Sequence, residues 1–526
     1  MTIKKTSNQM RYLYLCIFFF IISQYSYGQI PSVDILFKGA TVYDGTTSEG
    51  KKQDVGIKGD KIIFVGRYKK SKVKAKEIID ADGYVLAPGF IDPHTHIEAD
   101  LSHEERKANL PYLMQGVTTV IGGNDGSGPL PISRKLEEWE RNGIGTNAGL
   151  FVGHGTVRRM VLGNRDIAPS EEDLEEMKKI VAQAMEDGAI GLSTGLFYAP
   201  GSFAKKDEVV ALAKVAHGYG GIYDTHMRDE SSYSIGLINS VKETLEIGEE
   251  SGIPVHFSHI KALGADVWGK SSEVITLIEK SQAEGLKVTA NQYPYEASRT
   301  SLIAATVPRW AEDGGYEALL ERIANPNLKD TLRNGIAENI RRRGGPASLI
   351  LSTSDHPEWD GYSIEKMASD WEVDPAEVVV EILKKSSEVR VVSFNMRADD
   401  IENFMKQPWV MTGSDGVVGH PRKYGSFTKK ITEYALEKEI LPLHIAIHSS
   451  SGKTALTLGI SKRGFIKEGY FADIIMFKPK ALIDHADYLQ PSALSTGMTH
   501  VLVNGQFAVK DGRFTSILAG KAIKKD

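Results

Sequence analysis

The chain has 526 residues, 41% of them hydrophobic and 25% charged, with a formal net charge of -5. That is the composition of a folded globular protein of one or more domains, and it excludes a disordered or low-complexity chain. A mildly acidic sequence without a basic stripe excludes nucleic acid as a partner. The one cysteine, Cys16, lies in an N-terminal apolar run, so a processed chain would have neither disulfides nor a thiol nucleophile nor cysteine metal ligands.

Residues 1–28 read as a signal peptide. Lys4, Lys5 and Arg11 precede an apolar run over 12–22, and Ser26 and Gly28 supply small residues where a signal peptidase cuts. The run is shorter than the roughly 20 residues a bilayer span needs. The expectation is therefore an exported protein, periplasmic or secreted, with no stable membrane span after cleavage.

Residues 29–86 are short strands separated by turns, at 35–38, 55–58 and 62–65, with Asp44-Gly45 and Gly59-Asp60 between them. The same texture returns over 465–526, with strands at 472–477 and 500–503 followed by the hairpin pair Asn504-Gly505. Two β-rich ends imply one small β-sandwich domain built from both.

Between them, residues 87–464 alternate apolar strands with amphipathic helices, the pattern of parallel βα units. Candidate strands fall at 85–91, 117–121, 148–152, 189–192, 222–225, 254–258, 287–290 and 409–411. Ser170 and Asp173 form a capping pattern ahead of a helix whose inner stripe is Leu174, Met177, Ile180, Val181 and Ala184, ended by Gly188. Eight such strands give an α/β fold, a TIM-like (β/α)8 barrel. An additional apolar run at 348–351 belongs to an insertion near 301–406. No Gly-rich phosphate loop follows the first strand, which argues against a doubly wound sheet.

The sharpest motif is PGFIDPHTH at 88–96. His94 and His96 stand two apart after a buried strand, so both imidazoles can face one cation. His226 and His259 close the fifth and sixth strands, and Asp415 closes the last. Each alone could be an ordinary hydrogen-bonding residue. Together they put four histidines and a carboxylate on the rim where barrels carry their chemistry.

PGFIDPHTH, GVTTVIGGNDG (116–126), GLSTGLFYAPG (191–201), THMRDE (225–230), SHIKALG (258–264), GSDG (413–416) and HPRKYG (420–425) together resemble the D-aminoacylases, N-acyl-D-amino-acid deacylases of the amidohydrolase superfamily. The resemblance implies a metal position at His94, His96 and Asp415 and a second at His226 and His259. It also implies hydrolysis of the amide of a small N-acyl amino acid. Many relatives have a cysteine in an Asn-Cys-Gly triplet after the second strand. Here the triplet is Asn124-Asp125-Gly126, so Asp125 is the candidate bridging ligand, harder than a thiolate.

Zinc, as one or two ions, is the expected cofactor from the histidine-rich set, with another divalent metal as the alternative. Asp415 is the expected general base. The family pattern carries recognition of the substrate carboxylate onto Arg422, Lys261 and Tyr293, and places Tyr198 in the side-chain pocket. Arg228 and Asp229 are the expected orienting partners of His226. Two other readings stay open: another amidohydrolase reaction on a cyclic amide or D-configured dipeptide, and a non-catalytic metal-binding protein of the same fold.

Overall fold

The computed structural model describes residues 32–69, 73–352 and 355–525; the expected signal segment lies outside them. At its centre are eight parallel strands: β1 (Phe90–Asp92), β2 (Val117–Gly122), β3 (Asn147–Leu150, resumed at Val152–Gly153), β4 (Gly191–Gly195), β5 (Ile222–His226), β6 (Val255–Phe257), β7 (Val288–Gln292) and β8 (Val410–Thr412). Each pairs with the next in the ring. The ring closes just past the strand ends, where the Asp415 amide donates to the His94 carbonyl at 2.9 Å and Thr95 bridges Gly416. Almost every strand residue is buried, as parallel strands covered on both faces must be.

The stretch 85–91, expected as one strand, is two. Val85–Pro88 pairs antiparallel with Ile474–Phe477 in the terminal sheet, whereas Phe90–Asp92 enters the barrel beside β2. The division falls at Gly89, where any Cβ would run into the Thr118 side chain. Only glycine lets the backbone change sheets so close to its neighbour.

The terminal sheet has nine strands drawn from both ends of the chain. Ser32–Val42 pairs antiparallel with Lys51–Lys58 and parallel with Lys74–Asp80. Met498–Val503 turns back into Gln506–Lys510 through Asn504 and Gly505, both at positive φ, the backbone that a two-residue hairpin requires.

After β7 the chain leaves the barrel to build an antiparallel sheet of Ala297–Ser301, Arg390–Phe394 and Leu349–Ser352, with Arg390–Phe394 central. Helices Lys329–Arg342 and Pro375–Leu383 pack against each other beside it over a core of its own, including Leu302, Ile336, Leu349, Val379 and Val391. The excursion begins at Ala297, earlier than 301. It ends before helix Ala398–Met405, which packs on the barrel helix Ser271–Ala283. One barrel helix, Glu171–Glu186, has a full capping box between Ser170 and Asp173. Among the described residues no helix is long and apolar enough to cross a membrane.

Candidate metal centre

The six candidate ligands all stand at the C-terminal rim. His94 and His96 follow β1, Asp125 follows β2, His226 ends β5, His259 follows β6 and Asp415 follows β8. Asp125, His259 and Asp415 have positive φ, a conformation that costs energy in non-glycine residues and collects at functional sites.

Asp125 lies where two clusters meet. Its Oδ1 is 3.4 Å from His94 Nε2, 3.4 Å from His259 Nε2 and 3.7 Å from His226 Nδ1, while Oδ2 is 3.5 Å from His96 Nε2. Asp415 Oδ1 is 3.2 Å from His96 Nε2 and 3.7 Å from His94 Nε2. His226 Nδ1 and His259 Nε2 are 2.9 Å apart. Tetrahedral ligands about 2.0–2.1 Å from one zinc ion stand roughly 3.3 Å from each other, so these spacings suit cations between the atoms. Among the described residues, both ring nitrogens of His94 and Oδ1 of Asp125 are buried without a hydrogen-bond partner, a cost that a bound cation would remove. The donors fit a divalent metal.

Electrostatics favours the ligating forms of two of them. Burial pushes His94 down to about 4, leaving a neutral imidazole. Burial works against ionised Asp415, but the positive charge of Arg422, then of His259, holds its carboxyl far below the usual range.

Polar side chains around the rim fix the ligands. Glu230 Oε1 is 3.1 Å from His259 Nδ1 and accepts from Lys261 Nζ at 2.7 Å, and its other oxygen is 3.7 Å from His226 Nε2. Glu230, rather than the expected Arg228 or Asp229, is the partner of these histidines. Arg228 pairs with Glu243 and two backbone carbonyls. Asp229 accepts from the amides of Ser231, Ser234 and Gly236, shaping the following loop. The i,i+4 spacing of His226 and Glu230 was the signal for Glu230 in the sequence. Asn124 donates to Asp224 at 2.9 Å and to the Pro93 carbonyl at 3.1 Å, which ties the Asp125 loop to β1 and β5.

Lys261, Tyr293, Tyr198 and Arg422 line one narrow pocket with His226, His259 and Asp415. Arg422 Nη1 donates to Asp415 Oδ2 at 2.8 Å, and its guanidinium lies 4.7 Å over the Tyr293 ring. Among the described residues the Tyr293 hydroxyl is buried without a hydrogen-bond partner. Lys261, expected as a cation for substrate, lies in this pocket, donates to Glu230 and stands 2.6 Å from His259 Nδ1. Tyr198 packs on His226, centroids 4.6 Å apart. A wider cleft on the other side of Asp125 and Asp415 leads to solvent past Arg159, Arg299 and Arg390.

The amidohydrolase family model matches residues 77–509. The chain belongs to the amidohydrolase family. Among its relatives is the D-aminoacylase of Alcaligenes xylosoxydans xylosoxydans, 30% identical over 519 residues, 94% of this chain and 98% of that protein. The N-acyl-D-glutamate deacylase of the same organism is also 30% identical, over 499 residues, 90% of this chain and 93% of that one. The N-acyl-D-glutamate deacylase of Bordetella bronchiseptica, solved with zinc and a phosphonate mimic of the tetrahedral intermediate, superposes with a TM-score of 0.79 at 26% identity, covering 94% of this chain and all of that one. Within the amidohydrolases the chain therefore belongs to the D-aminoacylase branch.

Proposed function

We propose that this amidohydrolase hydrolyses the amide bond of N-acyl-D-amino acids, releasing a carboxylate and a free D-amino acid. The observation that carries the reading is the position of Asp415. One of its oxygens faces His96 at 3.2 Å and the other accepts from Arg422 at 2.8 Å. A single carboxylate thus joins the ligand cluster to the cation suited to a substrate carboxylate.

His94, His96, Asp125 and Asp415 would hold one divalent cation, and Asp125, His226 and His259 a second. Such a cation supplies a nucleophile from water near neutral pH and polarises the amide carbonyl. Asp415, kept ionised, takes the proton of the attacking water and delivers it to the leaving nitrogen. Arg422 and the unpartnered Tyr293 hydroxyl orient the α-carboxylate. Lys261, fixed by Glu230, adds positive charge behind them, and Tyr198 bounds the side-chain space.

The D configuration rests on the 30% identity to the D-aminoacylase. Zinc is supported by four imidazole donors and by the zinc of the Bordetella bronchiseptica enzyme. The oxygen donor Asp125 favours harder divalent ions more than a thiolate would. Export is supported by the charged, apolar and small-residue succession of residues 1–28.

The test is amine release from matched N-acetyl-D- and N-acetyl-L-amino acids by metal-stripped protein reloaded with zinc, manganese or cobalt. The expected result is metal-restored turnover of D substrates. Preference for L substrates, or inactivity of fully loaded protein on all of them, overturns the proposal.

A further inference from the structure

The narrow pocket holds more positive charge than the proposed chemistry uses. Lys261 and Arg422 each have a carboxylate partner, Glu230 and Asp415. Arg299 does not. It projects from the insertion strand Ala297–Ser301 and lines both the narrow pocket and the wider cleft. Among the described residues its Nε is buried without a hydrogen-bond partner, and Nη2 has only a long bond to Ser352 Oγ, 3.5 Å. The charged groups around it are Arg422, Arg390 and Asp360; burial, then the two arginines, push its pKa down to about 10, which leaves it a cation at neutral pH. Arg390 sits diagonally from it on the same face of the insertion sheet.

Arg343 lines the same pocket at 2% exposure. Its guanidinium donates to Tyr233 Oη at 2.6 Å and Ser393 Oγ at 3.2 Å, neither of them an anion. Both carboxylates that line this pocket, Glu230 and Asp415, are already paired. A buried guanidinium without a counter-charge is costly, and a planar carboxylate is the ligand that best matches its donors.

We infer that Arg299, backed by Arg343, forms a second anion subsite, and that the preferred substrates are N-acyl-D-amino acids whose side chain ends in a carboxylate. The inference rests on the deacylase reading and narrows it. The α-carboxylate goes to Arg422 and Tyr293 and the side-chain carboxylate to Arg299. The insertion, rather than the barrel, then sets side-chain specificity.

The experiment compares kcat/KM for N-acetyl-D-glutamate and N-acetyl-D-aspartate with the neutral N-acetyl-D-glutamine and N-acetyl-D-methionine, on the metal-loaded full chain. The glutamate–glutamine pair is matched in shape, so their ratio isolates charge. The better acidic substrate is expected to exceed its neutral counterparts by about 100-fold. Arg299→Gln is expected to bring that ratio within about fivefold, and Arg299→Lys, which keeps the charge but loses the planar fork, to leave a ratio between those of the wild type and Arg299→Gln. Equal turnover of glutamine and glutamate substrates by the wild type overturns the inference while leaving the deacylase reading intact. So does an equal loss on both substrates in Arg299→Gln, which would put Arg299 on the α-carboxylate. Should that variant not fold, the wild-type ratio alone decides. Inactivity on every acyl-D-amino acid defeats the deacylase reading, and the inference with it.

Discussion

Asp125 Oδ1 stands 3.4 Å from His259 Nε2, and the same oxygen is 3.4 Å from His94 Nε2. One carboxylate therefore touches both halves of a histidine set drawn from strands β1, β5 and β6. A thiolate at this point would be softer and favour zinc more strongly. Asp125→Cys should shift competition between zinc and manganese towards zinc by about tenfold or more, read by metal analysis after equilibration with both ions. Unchanged selectivity would remove Asp125 from the ligand set.

Asp415 has two tasks in the proposed chemistry, ligation and proton transfer, and Asn can substitute only for part of the first. Asp415→Asn should lower kcat by about 10³-fold or more while the protein keeps most of its metal. Activity near wild type would exclude Asp415 as the base.

Glu230 acts through His259 and Lys261 rather than on substrate. Glu230→Gln should weaken metal affinity about 10–100-fold and return activity towards wild type at high metal concentration. That rescue by excess metal is the outcome a general folding defect would not give.

Lys430 is 3% exposed, and burial alone pushes its pKa down to about 7. In the unfolded chain the amine titrates near 10.4, so between those values the unfolded state binds more protons and stability rises with pH. The burial penalty is complete below about 7. Lys430→Met should raise the unfolding temperature by about 2 °C at pH 6, a gain that shrinks towards pH 10. A gain independent of pH would mean that packing, not charge, is responsible.

The barrel was legible because its strands are buried on both faces and read as apolar runs, each ended by a polar or glycine-rich rim. The histidines after β1, β5 and β6 stood out for the same reason: a polar residue directly after such a run. Gly89 was not legible as a boundary, since the demand for glycine there comes from Thr118, 29 positions away and in contact only after folding. Nor was the role of Arg299. Its strand reads as polar loop sequence, and the closeness of Arg422 and Arg390 exists only once the insertion sheet has formed. Glu230 had a local signal in its spacing from His226, but the contact with Lys261 depends on β5 and β6 lying side by side.

The most direct measurement is the metal content of the purified protein after stripping and reloading with zinc, beside a His94→Ala/His259→Ala variant whose folding is checked by circular dichroism. Wild-type protein is expected to bind about one to two equivalents tightly, and the folded variant far less, with amine release falling in step. Wild-type protein that takes up no zinc, manganese or cobalt, or a variant that binds as much as wild type, would contradict a metal centre at this rim.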